Sequence, residues 1–77
     1  MAKLSMRQMK KYQAGTILCV KARGEMGRRI REMGLIPGAE LKIQGRAPLH
    51  DPVSLKIMGF IITLRNNEAD FIEVEVN

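Results

Sequence analysis

Two adjacent side chains, His50 and Asp51, carry the strongest chemical hint in this 77-residue chain. An imidazole beside a carboxylate is the beginning of a metal site or of a general acid–base pair. Either needs company. A Zn2+ or Fe2+ ion wants two or three more His, Cys or carboxylate ligands converging on it. The chain has no second histidine and one cysteine, Cys19. Cys19 lies in the apolar stretch AGTILCVKARG, with no CxxC or HxxE spacing around it, as a small packed side chain would. No metal ligand set is expected. Catalysis lacks its parts too. Apart from His50–Asp51, the acids mostly alternate outward on expected strands or sit in turns, and neither Ser5 nor Ser54 has a base nearby in the pattern. GEMGRR, residues 24–29, lacks the GK[ST] ending of a phosphate-cradling loop. The chain therefore reads as a non-enzyme without a cofactor. His50 reads as a loop-tip residue, with Asp51 capping its own backbone ahead of Pro52.

The residue types that remain suit binding. Arg28, Arg29 and Arg31 offer planar, forked donors close together. Leu35 and Ile36 follow in a turn, where large apolar groups often stay partly exposed. Basic residues around an apolar spot make a candidate docking patch for a protein partner. The competing expectation is that Leu35 plugs one end of the fold and the arginines are merely solvated. Both stay open at this point. The charge distribution favours an anionic partner. The net charge is +5, but residues 1–46 hold eleven Lys/Arg against three acids and residues 47–77 two against five.

These residues must be held by short elements. AGTILCVKARG is β-branched, bounded by Gly15 and Gly24 and apolar on both faces, which predicts a central strand. In GEMGRRIREMG the period changes: Met26, Ile30 and Met33 fall at i, i+4 and i+7, one stripe of a short helix. Glu25 suits its first turn and Gly34 its C-cap. Gly27 inside it costs roughly 1 kcal/mol relative to Ala, so the helix depends on tertiary packing. Pro37–Gly38 has the chemistry of a type II turn. ELKIQGRA, PVSLKIMG and FIEVEV alternate, with Leu41 and Ile43, then Val53, Leu55 and Ile57, then Ile72, Val74 and Val76 facing the core. FIITLR is a short apolar strand, and NNEAD a polar turn with room for one helical turn. Residues 1–13 have no clear period and read as a frayed start or one turn, packing through Leu4 and Met9. Prolines 37, 48 and 52 frame the segment between the helix and the third strand.

Five short strands with one short helix between the first and second predict an all-β fold, a small β-barrel that closes to hide its edges, SH3-like in architecture. At this length the chain is a single domain, residues 1–77, burying only about 60% of its unfolded surface. One cysteine excludes an internal disulfide and fits a reducing compartment. No apolar run approaches the ~20 residues of a membrane span, and no signal peptide is recognised at the N-terminus.

The same residues resemble the ferrous iron transport protein A (FeoA) family. The likeness runs from about Ala14 to Val74. It rests on MGL-x-PG at Met33–Gly38, APL-x-DP at Ala47–Pro52, a glycine–aromatic pair at Gly59–Phe60, Leu64–Arg65 and Glu68–Ala69. The resemblance implies an SH3-like barrel with an inserted helix. It implies a cytosolic bacterial accessory, peripheral to the inner membrane, that acts with FeoB, the membrane GTPase transporting Fe(II). FeoB and its cytosolic GTPase region would be the partner. The same barrel occurs behind a winged-helix domain in iron-dependent repressors, and this chain has no such domain. One departure stands out: where the family usually has Gly in APL-x-DP, this chain has His50. The alternative reading is a small basic SH3-like module binding RNA or another anionic partner. It needs aromatic platforms for bases. The aromatics are Tyr12, Phe60 and Phe71, and Phe60 and Phe71 are expected inside, so nucleic acid is not the expected partner. Weak homo-oligomers through exposed strand edges stay open.

Overall fold

Alternation of apolar and polar residues marks β3, β4 and β6, and the computed structural model, which describes residues 2–46 and 51–76, follows it there. The chain runs through β1 (Ala2–Ser5), a 3-10 turn (Met6–Gln8), β2 (Ala14–Val20), α1 (Gly24–Glu32), β3 (Glu40–Arg46), β4 (Val53–Ile57), β5 (Phe60–Leu64), α2 (Asn66–Ala69) and β6 (Ile72–Val76). The sheet order is β1-β6-β2-β3-β4-β5, and every neighbouring pair is antiparallel. Register shifts between Ile17 and Cys19 on β2 and between Ile43 and Gly45 on β3 increase the local twist and help the sheet curl. The inner faces of the strands share one apolar cluster, capped by Ile30 of α1 and Ala69 of α2. The result is the expected small SH3-like β-barrel.

Three expectations are corrected. There are six strands, not five. The additional one, β1, pairs along the chain's last strand, Ala2 opposite Val76 through Ser5 opposite Glu73. Residues 1–13 are thus no frayed start but the expected turn packing through Leu4 and Met9, with Met6 buried as well. The barrel is also not closed by hydrogen bonds among the described residues. β1 and β5 are the two ends of the sheet order, each with one strand neighbour. Finally, Phe60 and Phe71 are not internal; they are 71% and 42% exposed. Being aromatic is an argument for burial only where a neighbouring element covers the position, and at these two places the cover is incomplete.

The turn that joins α1 to β3 is built as its residues predict. Gly34 adopts φ +94 and closes the helix: its N–H donates to the Arg31 carbonyl at 3.0 Å, and the Leu35 N–H reaches the Ile30 carbonyl at 3.3 Å. This double closure pairs with burial of Leu35 and Ile30. Pro37–Gly38 then makes the type II turn, with the Ala39 N–H donating to the Ile36 carbonyl at 3.0 Å and Gly38 at φ +91. Ile17 clamps the turn to β2, since its N–H donates to Ala39 and its carbonyl accepts from Gly38.

Candidate partner-binding surface

The arginine helix is seated by a glycine. A Cβ at Gly27 would run into the carbonyl of Ala22, so the missing side chain lets α1 lie directly on the chain leaving β2. From that seat Ile30 enters the core and Met26 and Met33 are half-covered, as the stripe predicts.

The arginines then divide. Arg28 and Glu32 pair along the helix, Nε to Oε1 at 3.3 Å, with both side chains open to water. Such an i,i+4 pair contributes only about 0.3–0.5 kcal/mol, so Arg28 remains available to a partner. Arg29 does structural work. Its Nη1 lies 2.8 Å from Oε2 of Glu68, whose side chain is only 4% exposed. The other carboxylate oxygen of Glu68 accepts the Arg65 N–H at 3.1 Å, which caps α2. Glu68 thus links the two helices across a shallow cleft that Glu25, Met26, Arg65 and Asn67 also line. Arg31 turns back and donates to the Ala22 carbonyl at 3.3 Å.

Of the two expectations for Leu35, its burial agrees with the plug: it is fully buried and belongs to the core, and it drops out of the exposed patch. Ile36 is 43% exposed and stays on the surface. The structure adds apolar groups that the sequence reasoning passed over. Met58, Phe60 and Ile61 are exposed, and Met58 lies against the turn after α1: a Cβ on Gly34 would sit 3.9 Å from its sulfur. The available signal was the two-residue loop of the β4–β5 hairpin, Met58–Gly59, which must project its side chains.

His50 lies outside the described residues, together with Ala47, Pro48 and Leu49. Asp51 does more than the expected capping of its own loop. Its Oδ1 accepts the N–H of Asn66 at 3.0 Å and ties the approach to β4 to the start of α2. Cys19 is half-buried, its thiol 3.9 Å from Oε1 of Glu73, its register partner on β6. Among the described residues no group of three or more His, Cys, Asp or Glu is placed to hold a metal ion.

A family model described as the FeoA domain matches residues 4–76. The chain belongs to the FeoA domain family. A curated relative, the Fe(2+) transport protein A/Fe(2+) transporter FeoB fusion protein of Porphyromonas gingivalis (strain ATCC BAA-308 / W83), is 42% identical over 60 residues. That match covers 78% of this chain but only 7% of the relative's length. The solution structure of iron(II) transport protein A from Clostridium thermocellum is 38% identical with a TM-score of 0.91, over 95% of this chain and 45% of that one. FeoA of Stenotrophomonas maltophilia, described as a prokaryotic SH3 domain protein, has a TM-score of 0.82 at 21% identity, over 94% of this chain and 89% of that one. At that identity the likeness is one of fold, and it agrees with the SH3-like barrel seen here.

Within this FeoA domain the exposed aromatics are Tyr12, ahead of β2, Phe60 on β5 and Phe71, ahead of β6.

Proposed function

We propose that this FeoA domain is a non-catalytic accessory of a bacterial ferrous-iron transport system, docking on the cytosolic GTPase region of the membrane transporter FeoB. The observation that carries the reading is the fusion protein of Porphyromonas gingivalis, in which a segment 42% identical to this chain shares one polypeptide with a FeoB transporter. Two modules joined in one chain meet at high effective concentration. As a separate chain, this domain would have to achieve the same encounter by binding. Fe2+ is then the transporter's cargo and occupies no site assigned to this domain.

The surface offered is the exposed side of α1 with the turn after it. Arg28 and Ile36 face solvent there, and the Arg29 side chain, though paired with Glu68, is also open to water. An exposed forked cation beside an apolar side chain is the anatomy of a modest protein interface. Docking alters GTP turnover only insofar as it prefers one nucleotide state of the transporter over another. No helix among the described residues is long and apolar enough to cross a membrane. In this reading the domain works in the cytoplasm and reaches the inner membrane through its partner.

Purified transporter captured on this protein, with GDP, with a non-hydrolysable GTP analogue and with neither, tests the reading. Association in at least one state is expected, and Arg28→Glu with Ile36→Ser should weaken it at least tenfold. Arg29 is left alone because its loss would strip Glu68 of its cation and confuse folding with binding. Absence of association in every nucleotide state would overturn the reading. Association untouched by the double substitution would move the docking surface elsewhere.

A further inference from the structure

The two ends of the sheet are guarded very differently. β1 is four residues long and carries Lys3. β5 is FIITL, and from Ile57 to Leu64 the hairpin has no ionisable side chain, no proline and no register shift. Natural sheets protect an edge with just such devices, because an unpaired row of N–H and C=O groups invites another strand. Among the described residues β5 pairs with β4 alone. Its side chains are apolar on both faces. Ile61 is opposite Lys56 on the outer face, while Phe60 and Ile62 share the inner face with Ile57 and Leu55. Phe60 and Ile61 are nonetheless 71% and 66% exposed.

We infer that β5 is a self-pairing edge, on which a second copy of this chain adds its own β5 antiparallel to form a two-fold dimer. The register follows from the ladder. Phe60 and Ile57 flank a two-residue loop and form a hydrogen-bonded pair. Alternation then turns Phe60, Ile62 and Leu64 toward β4 and leaves the N–H and C=O of Ile61 and Thr63 pointing outward. A two-fold axis at Ile62 places Ile61 opposite Thr63 of the second copy, and the reverse, giving four backbone hydrogen bonds. The side chains that meet are then Ile62 with its own copy on one face and Ile61 with Thr63 on the other, while Leu64, already fully buried in its own barrel, gains no contact from Phe60. These β-branched pairs are the combinations that stabilise neighbouring strands.

The charge argument favours a second copy in particular. An uncharged strand paired with itself sets no like charges opposite one another, although the chain as a whole carries +5. The two Lys56 side chains would attach to the backbone three strand spacings apart, roughly 15 Å, and Arg65, which follows Leu64, would attach roughly 12 Å from the second copy's Lys56. Both separations exceed the Debye length of about 8 Å at physiological salt. The contact is small, on the order of several hundred Å² in total against the ~1,000 Å² of a stable interface. The dimer is accordingly weak and dependent on concentration.

The full chain in solution, without transporter, tests this, so its outcome is independent of the docking proposal. Sedimentation equilibrium from about 10 μM to about 1 mM should show the mass rising from 8.7 kDa toward twice that value. Amide exchange at Ile61 and Thr63 should slow as concentration rises. Thr63→Pro removes an N–H that points away from β4, and Ile61→Lys places a charge on the edge. Each should weaken dimerisation at least tenfold with an unchanged circular dichroism spectrum. If one variant misfolds, the other decides. A monomer throughout the range would overturn the inference, even if the edge later proves to accept a strand of another protein. So would a dimer indifferent to both substitutions, or one whose Ile61 and Thr63 amides gain no protection.

Discussion

Leu35 and Ile36 are neighbours with opposite fates, and the helix end decides which goes where. The αL conformation at Gly34 reverses the chain so that Leu35 returns over Ile30 and is buried, while Ile36 begins the next turn outside. Leu35→Ala should therefore cost about 2–5 kcal/mol through lost burial and a residual cavity. In a domain of this size that lowers Tm by some 10 °C or more. Ile36→Ser should stay within about 0.5 kcal/mol of the parent. Thermal melts of the two variants check the pair, and equal losses would mean that the turn does not discriminate between them. The sequence made this patch half legible. The motif Met33–Gly38 located the turn, and its glycine and proline predicted the backbone correctly. What type alone could not decide was which apolar residue of the pair plugs the core. Nor could it show that Phe60 lies where the cover is incomplete, because exposure depends on elements distant in sequence.

At the scale of the element, α1 looks like a poor helix improved by its surroundings. It has nine residues, two of them glycine, and no side-chain cap at its start. Its 3.6 periodicity was legible, but Gly27 was legible only as a cost. The structure supplies the reason: the Ala22 carbonyl occupies the space where a Cβ would go, and that same carbonyl accepts from Arg31. Two effects compete in Gly27→Ala. Helix propensity favours the alanine by about 1 kcal/mol. Overpacking opposes it by typically 1–3 kcal/mol, and here the obstructing atom is backbone, which yields less readily than a flexible side chain. The clash should win, with net destabilisation of about 1–2 kcal/mol in urea unfolding. A stabilised variant would mean that α1 can lift off the chain leaving β2 without loss. The ion pair of Arg29 with Glu68 was not legible for a different reason, since 39 positions separate the two residues and nothing local marks them as partners.

At the scale of the molecule, the beginning and the end of the chain are one structural unit. β1 lies on β6, and β6 lies between β1 and β2, so the last strand is enclosed only when the first segment is in place. The sequence concealed this because four residues with one large apolar side chain show no alternation, and because the strand's partner lies at the far end of the chain. Past β1, the 3-10 turn delivers Met6 to the core, and Met9 follows it; both are fully buried or nearly so. Unbranched methionines can fill irregular space at the rim of a barrel where alternation has ceased. Truncating either to alanine should cost about 2–5 kcal/mol. A domain of this length has roughly 4–12 kcal/mol of total stability at the usual value per residue. The double variant Met6→Ala, Met9→Ala should therefore sit at or beyond the limit of folding. Its near-native circular dichroism should be lost or its unfolding midpoint driven close to room temperature, while each single variant still melts cooperatively at a lower temperature. A double variant that unfolds near the parent's midpoint would show that the N-terminal segment is a cover and not a member of the core. The strand from Ala2 to Ser5 would then need another explanation for its place beside β6.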